Sequence, residues 1–592
     1  MPLDHPRSPF QDERVVHAFS LIDSTNLRYP ADSLLKSFIE GALNPVSAAC
    51  YVTDRLTEGD AQSLLSDWVY IVESVTRNGS PPKQPSTAIQ HNISSRDGGK
   101  CCITGKKGSI SDPLCVVPIL PVPIGWITQE KRISDILGAF FGPPYRDWWL
   151  NYAKSPGRTT PYRNHWLVRR SAAAAFADGF VYLDRLHPSM IEYRVKQSAI
   201  GLRKPIKVDG ALPLLGDHSR TGIQHADARF IGTHARLCNS IRYLDIARTI
   251  APEILGVSRP APLAPHPPSL WHQWPIPRAV SGTISTVLPL ATMGHAVLTL
   301  WLVVPNRARI AAYELLRKLG RAIYGPPTDY SMTQRLPFGL YLKYRGLPAG
   351  YRNEFKALQL VRKYTTVPVP KALDIAILHG QDNMSDGMSY LYGKDNPTDG
   401  MSDDAYLLIS RLPGIPLSEC HDVLSDGDLE RIAAQMRKYL AQIRSIPNLV
   451  NRDAPICNAL GEACRDSRIR GESPVGPFPD EASFSQMLRF PDEPSRRGHM
   501  IVFTHADLNP RNILVAEFTQ RDGSKAWGVT GIVDWEFAGY YPEYWDCTKA
   551  QFEGFRWLKR HNDMMKDIFK GFGDYSKELD VENRSWEMGD GV

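Results

Sequence analysis

The stretch that decides the fold is FTHADLNPRNILV, Phe503 to Val515. It places an imidazole, a carboxylate and an amide close together, on His505, Asp507 and Asn512. Asp507 and Asn512 have D-x-x-x-x-N spacing directly after a predicted strand, and Asp534 follows another predicted strand. Phosphoryl transfer needs one carboxylate to orient the attacking hydroxyl, and an amide and a second carboxylate to hold magnesium on the nucleotide phosphates. The pattern therefore indicates phosphoryl transfer.

Each feature alone has a more ordinary explanation. A D-x-x-x-x-N spacing is common in loops with turn-forming side chains, and an Asp after a strand often caps a helix. Because both features occur here in the right order, a nucleotide-phosphate site is favoured over both explanations.

The predicted elements around this loop form a small sheet followed by helices. Apolar periodicity predicts helices over Arg309–Ile323, Arg352–Tyr364 and Gly427–Ile446, and strands over Gly339–Tyr344, Ala405–Leu412, Met500–His505 and Gly528–Trp535. The order predicts an α+β domain with two lobes.

The loop and its surroundings resemble a known family. THADLNPRNILV, followed by GIVDWEFAGYYPEYWD, is similar to the aminoglycoside phosphotransferase family, the small-molecule branch of the protein-kinase-like fold, and especially to its fungal members. LPFGLYLKY, EFKALQLVRKYTTVPVPKAL and YLLISRLPGIPL extend the resemblance backwards, so it covers about residues 310–592. The resemblance implies a bilobal kinase-like fold.

The resemblance also implies a role for each matching residue. Asp507 would be the catalytic base, and Asn512 and Asp534 would be ligands of Mg²⁺. Lys343 would contact the phosphates of ATP or GTP, and Glu354 would hold that lysine in an ion pair. The implied reaction moves the γ-phosphate to a hydroxyl or amine of a small-molecule acceptor.

The sequence departs from the kinase pattern at the loop that covers the nucleotide phosphates in kinases. The segment YGPPTDYSMTQRLPFG stands in its place without a glycine-rich pattern. Family members often use a turn that carries Ser or Thr, a role that Ser331 and Thr333 could take. The departure leaves an alternative open, in which the chain is a catalytically inactive kinase-like scaffold or binding protein.

A protein kinase is disfavoured. Only 58 residues follow Asp534, too few for the large substrate-binding lobe of protein kinases. No A-P-E motif follows, and Ala506 stands where the arginine of an H-R-D motif would be. A small acceptor fits this shorter chain better.

Proline-rich sequence divides the chain. We expect an N-terminal mixed α/β domain over residues 1–256, a proline-rich linker with an apolar segment over 257–307, and the kinase-like domain over 308–592. Within the kinase-like domain, the small lobe is expected at about 308–412 and the helical lobe at about 413–592.

The N-terminal region resembles the fungal HNH-endonuclease type of domain through GGKCCITGKKGSISDPLCVVPILP and NHWLVRRSAAAAFADGFVYL. Val116 and Ala173, however, stand where the resemblance expects the two histidines that activate water and bind the metal. We therefore expect a degenerate module, or else an unrelated globular domain with a tight turn. The net charge of +6 is too dilute to indicate nucleic acid.

The segment 279–306 contains no Asp, Glu, Lys or Arg and is long enough to cross a bilayer. Pro289, Gly294 and His295 lie in its middle, so a buried or interfacial linker helix is favoured over a membrane span. The N-terminus has no apolar core behind a basic start, and the nine cysteines show no zinc-type spacing. A cytoplasmic or nuclear compartment with reduced thiols is predicted.

Overall fold

The computed structural model describes residues 10, 12–76, 85–120, 131–154, 161–185, 193–202, 215–255, 300–327, 332–378, 404–470, 474–552, 557 and 559–588. Ser331 and residues 256–299, which include most of the expected linker and apolar segment, lie outside these ranges. The chain divides into two compact units, Met1–Thr283 and Ile284–Val592.

Helices dominate the first unit. Its elements are α1 (Glu13–Ser24), α2 (Ala31–Gly41), α3 (Pro45–Thr57), α4 (Ala61–Thr76), α5 (Thr87–Arg96), β1 (Leu114–Pro118), α6 (Lys131–Phe141), α7 (Pro143–Lys154), α8 (Pro161–Asn164), β2 (His165–Arg169), α9 (Arg170–Ala177), β3 (Val181–Arg185), β4 (Tyr193–Gln197) and α10 (Ala228–Ile250). Phe38, Trp68 and Phe140 pack together in its core, and the Trp68 indole donates to Ser240 Oγ at 3.2 Å.

Apolar side chains fill the two positions where the nuclease resemblance expects histidine. Val116 lies in β1 opposite Leu167 of β2, and both pack with Ile93 in a small buried cluster. Ala173 is buried in α9. These positions therefore serve packing in the N-terminal unit.

The second unit has a helix, then a four-stranded antiparallel sheet, and continues mainly with helices. Its elements are α11 (Asn306–Tyr324), β5 (Thr333–Leu336), β6 (Leu340–Gly346), α12 (Pro348–Tyr364), β7 (Ala372–Leu378), β8 (Asp404–Ser410), β9 (Ile415–Pro416), α13 (Leu417–Cys420), α14 (Asp426–Arg444), β10 (Cys457–Asn458), α15 (Glu481–Ser485), β11 (Ile501–Thr504), β12 (Ile513–Thr519), β13 (Lys525–Ile532), β14 (Gly539–Pro542), α16 (Trp545–Phe552), α17 (Lys559–Lys570) and α18 (Ser576–Glu587). The helices and strands predicted from periodicity are confirmed, with small shifts at their ends.

The sheet of the second unit has the strand order β5-β6-β8-β7. Helix α12 contacts β7 and β8, because Tyr351, Leu358 and Val361 recur at helical spacing and are buried. The sheet and α12 thus form a small layer that precedes the helical part.

The helical part is built around α14. Ser425 and Asp428 form a capping box at its start, and its buried side chains recur every three or four residues. It contacts β13 and α17. The aromatic residues after Asp534 pack in the core, since each is at most 1% exposed: Trp535, Tyr540, Tyr541, Tyr544 and Trp545.

All nine cysteines are free thiols, as predicted. Among the residues that the structure describes, no helix combines the length and the apolar character needed to cross a bilayer.

Helix α18 is tied to the helical part by a histidine between two carboxylates. His499 Nδ1 lies 2.7 Å from Glu481 Oε1, and its Nε2 lies 3.6 Å from Glu578 Oε1 of α18. Burial would lower the pKa of His499, but the carboxylates of Glu481, Glu578 and Glu543 outweigh burial and raise it. The folded state therefore favours the protonated imidazole.

We predict that His499 stabilises the fold in a pH-dependent way. Because its folded pKa is raised, its contribution is fully present below the unfolded value of about 6.5 and is lost as the pH rises through the folded value. The difference in thermal midpoint between wild type and His499→Gln should be larger at about pH 6 than at about pH 9. Equal differences at the two pH values would contradict this assignment.

Candidate active site

The small sheet and helix α12 bring Lys343 and Glu354 together. Lys343 lies near the middle of β6, opposite Thr333 of β5 and Leu407 of β8. Glu354 lies on the inner face of α12, and its side chain is 1% exposed. Lys343 Nζ donates to Glu354 Oε2 at 2.6 Å, which is the ion pair that the resemblance implied.

The same lysine also reaches the loop that follows β13. Its Nζ donates to Asp534 Oδ1 at 2.6 Å. Asp534 has a φ of 68°, in the left-handed region that Asp tolerates better than most residues. Its side chain is 39% exposed, whereas that of Lys343 is 11% exposed. One ammonium group therefore joins the small sheet, α12 and the loop after β13.

The charges of this cluster shift one another's pKa values. Burial opposes the charge on Lys343, but the carboxylates of Asp534 and Glu354 outweigh it and raise the pKa of Lys343 well above its usual value. Burial also disfavours ionised Asp534, yet the charge of Lys343 prevails and lowers the pKa of Asp534. At Glu354 burial prevails, and the pKa is raised despite the ion pair. Lys343 and Asp534 therefore remain charged at neutral pH.

Asp507 and Asn512 share one turn between β11 and β12. Asn512 Nδ2 donates to the backbone carbonyl of Asp507 at 2.9 Å and to Asp507 Oδ2 at 3.0 Å. This leaves Asn512 Oδ1 as the atom of that amide able to bind a cation. Burial raises the pKa of Asp507, and the charge of Asp534 adds to the rise, whereas the ammonium of Lys549 opposes it. Lys549 Nζ lies 3.7 Å from Asp507 Oδ1.

His505 fixes the backbone of the loop through both ring nitrogens. The backbone N–H of Asp507 donates to His505 Nδ1 at 3.2 Å, so the proton of the neutral ring lies on Nε2. His505 Nε2 then donates to the carbonyl of Val533 at 2.9 Å. Because Val533 directly precedes Asp534, the imidazole links the segments that carry the two aspartates.

Asp546 supports the backbone of the loop that carries Asp507. Its role was not predicted from the sequence. Its side chain is fully buried, and it accepts the backbone N–H of His505 at 3.2 Å and that of Ala506 at 2.7 Å. Ala506 has a φ of 64°, which is strained for alanine. The last residue of the motif GIVDWEFAGYYPEYWD is this aspartate, so the signal was an acidic residue at the start of a helix.

Two further residues of the site were missed. Asn353, next to Glu354 on α12, donates to the carbonyls of Glu536 and Ala538 at 2.9 and 2.8 Å and so ties α12 to the loop after Asp534. Burial raises the pKa of Glu536 to about 7, and the nearby charge of Asp534 adds to the rise. The D-x-E spacing after β13 was the available signal for Glu536.

Of the two residues that could contact the phosphates from the covering segment, Thr333 and Ser331, the structure describes only Thr333. Thr333 lies directly opposite Lys343 in the antiparallel register, so both side chains point to the same face of the sheet. Ser331 lies outside the described residues.

The residues present fit a nucleotide-bound magnesium ion. Three carboxyl groups, those of Asp534, Glu354 and Glu536, lie near the single ammonium of Lys343. Magnesium is commonly held by one or two carboxylates together with substrate phosphates, and Asp534 and Asn512 offer such oxygen ligands. In the described parts of the chain, no three His, Cys, Asp or Glu side chains converge in a way that could hold a metal on their own.

A comparison with protein-family models finds one match, in the part of the chain that carries the candidate active site. Residues 340–563 match the model of the APH phosphotransferase enzyme family, and we call this matched region the APH domain. The APH domain begins at the first residue of β6 and includes Lys343, Glu354, Asp507, Asn512 and Asp534. Thr333 and the N-terminal unit lie outside it. No curated protein matches the chain.

Solved structures similar to this chain include aminoglycoside phosphotransferase APH(4)-Ia. A thermostable mutant in its apo form is 12% identical, with 45% of this chain and 87% of that chain covered and a TM-score of 0.29. A further structure of APH(4)-Ia is 14% identical, with 42% and 77% covered and a TM-score of 0.26. At these TM-scores, the assignment of the APH domain depends on the family match.

We predict that Asp546 stabilises the APH domain through the backbone of the loop. Asp546→Ala would leave the N–H groups of His505 and Ala506 buried without acceptors, which costs about 1–3 kcal/mol for each group. Chemical denaturation should show the loss, whereas Asp522→Ala, which removes only exposed hydrogen bonds from Ser524 in a surface turn, should lower the free energy of unfolding much less. An Asp546→Ala protein as stable as wild type would contradict this role.

Proposed function

We propose that the chain is a magnesium-dependent phosphotransferase, which moves the γ-phosphate of ATP or GTP to a hydroxyl or amine of a small molecule. The observation that carries the proposal is the position of Lys343, whose ammonium bonds to Glu354 and Asp534 at 2.6 Å each. The family match of residues 340–563 supports the same reaction class.

Lys343, in this proposal, binds the nucleotide phosphates. Its ammonium is held in place by Glu354, which is itself fixed because α12 is tied to the loop after Asp534 through Asn353. Asp534 and Asn512 Oδ1 would hold the magnesium ion, which neutralises charge on the phosphates when bound. Thr333, on the same face of the sheet as Lys343, is proposed to contact the phosphates as well.

Asp507 is proposed as the base that orients the acceptor. Asn512 holds its Oδ2, so Oδ1 is the oxygen that would accept the proton of the acceptor hydroxyl or amine. The raised pKa of Asp507 makes this carboxylate a better proton acceptor than an exposed aspartate. Catalysis would depend mainly on positioning and on charge neutralisation at the phosphates.

The alternative is a kinase-like scaffold or binding protein without turnover. It is favoured by the segment before Lys343, which lacks a glycine-rich pattern. In the described part of this segment, the turn Pro337–Gly339 joins β5 to β6. The N-terminal unit, with its apolar Val116 and Ala173, would then supply contacts to a partner rather than nuclease activity.

We predict that transfer depends on Asp507. The full chain is incubated with ATP carrying an isotopically labelled γ-phosphoryl group and a mixture of hydroxylated and aminated metabolites, and products are detected by mass spectrometry. Asp507→Asn should lower the yield of labelled product by roughly a hundredfold or more, because the base is lost while the shape of the site is kept. Lys566→Gln, at an exposed position on α17, is the matched control.

Two outcomes would contradict the proposal. Equal product yields from wild type and Asp507→Asn would remove Asp507 from the mechanism. The absence of any labelled product, with no consumption of ATP, would favour the scaffold.

A further inference from the structure

Helix α11 has two apolar faces, of which only one is covered by other described residues of the chain. Ile310, Tyr313 and Gly320 are buried on the inner face, which packs against the small sheet. The approach is close at Gly320, where an added Cβ would lie 2.3 Å from the carbonyl oxygen of Arg335 in β5. The sheet of the second unit therefore fully occupies this inner face.

The outer face carries a stripe of exposed aliphatic side chains. Leu315, Leu319 and Ile323 are spaced four residues apart and are 69%, 45% and 55% exposed. One helical turn separates each from the next, so they line up along one side of α11. Soluble proteins seldom expose aliphatic side chains in such a row, and a row of this kind indicates a surface that contacts something apolar.

Exposed apolar residues continue just before the helix. Leu300, Leu302 and Val303 are 72%, 48% and 79% exposed. The sequence from 279 to 306, which leads into α11, contains no Asp, Glu, Lys or Arg. The apolar sequence therefore begins before the helix.

Basic side chains flank the stripe. Arg307, Lys318 and Arg321 are exposed, and the helical period places them along one edge of it. The single acidic residue of the helix, Glu314, is paired with Arg317 at 2.6 Å. The outer face is therefore both apolar and cationic.

We propose that the outer face of α11 binds the surface of an anionic phospholipid bilayer. An amphipathic helix with aliphatic residues on one face and Lys or Arg beside them lies in the plane of the interface. Leu315, Leu319 and Ile323 enter the boundary between headgroups and acyl chains. The long stems of Lys318 and Arg321 keep their charges at the level of the lipid phosphates.

A phospholipid surface fits this face better than a nucleic acid does. A phosphate backbone would use the cations but would leave the aliphatic stripe in water, whereas a bilayer uses both. The inference does not depend on the proposed phosphotransfer, because none of these residues contributes to the candidate active site. It concerns adsorption at the interface rather than a membrane span.

Sedimentation with lipid vesicles tests the inference on the full chain. Wild type should bind vesicles of phosphatidylcholine with phosphatidylserine much more strongly than vesicles of phosphatidylcholine alone, and high salt should weaken the binding. The double variant Leu315→Glu and Leu319→Glu should lower the partition coefficient about tenfold or more, because charges replace apolar side chains. Lys318→Glu should lower it about fivefold or more.

Matched control variants distinguish binding by the outer face of α11 from binding by other exposed surfaces of the protein. Leu449→Glu changes a leucine that is 60% exposed elsewhere in the second unit, and Lys566→Glu changes an exposed lysine of α17, so both should bind vesicles like wild type. Circular dichroism confirms that each variant is folded.

Three results would overturn the inference. The first is no binding to anionic vesicles. The second is equal binding by wild type and the double variant. The third is a dimer in sedimentation velocity that the double variant dissociates without any vesicle binding, since the face would then be an interface between protein copies.

Discussion

The geometry of the candidate active site depends on the ammonium group of Lys343. Strand β6 carries the lysine, α12 carries Glu354 and the loop after β13 carries Asp534, and the three meet through two bonds of 2.6 Å. A buried ion pair that loses one partner costs about 3–5 kcal/mol, because a charge is left without compensation. The small sheet and the helical part of the second unit are therefore held in one arrangement by electrostatics as well as by packing.

The loop between β11 and β12 is positioned by hydrogen bonds that cross between distant segments. His505 contacts the residue before Asp534, and Asp546 accepts two backbone N–H groups beside the strained Ala506. Such a backbone conformation persists only where the surroundings determine it fully. The carboxylate of Asp507 is thus held by a rigid support, as a site that works by positioning requires.

Much of this site could be predicted from the sequence, since its signals are local. The D-x-x-x-x-N spacing and the apolar strands before Asp507 and Asp534 lie within short windows, and the helix of Glu354 has a clear period. Asp546, Asn353 and Glu536 were not predicted because their roles depend on contacts between segments far apart in the chain. A buried aspartate that accepts backbone N–H groups has the same local sequence as one that caps a helix. The roles of the site residues, the domain boundaries and the HNH resemblance remain predictions.

Calorimetric titration of the full chain with non-hydrolysable analogues of ATP and GTP, with and without magnesium, tests the central claim most directly. We predict that wild type binds at least one analogue more tightly when magnesium is present, because Asp534 and Asn512 complete the shell of a phosphate-bound ion. In Asp534→Asn the effect of magnesium should be lost. A well-folded wild type that binds neither analogue, or binds one equally with and without magnesium, would contradict the account of this site.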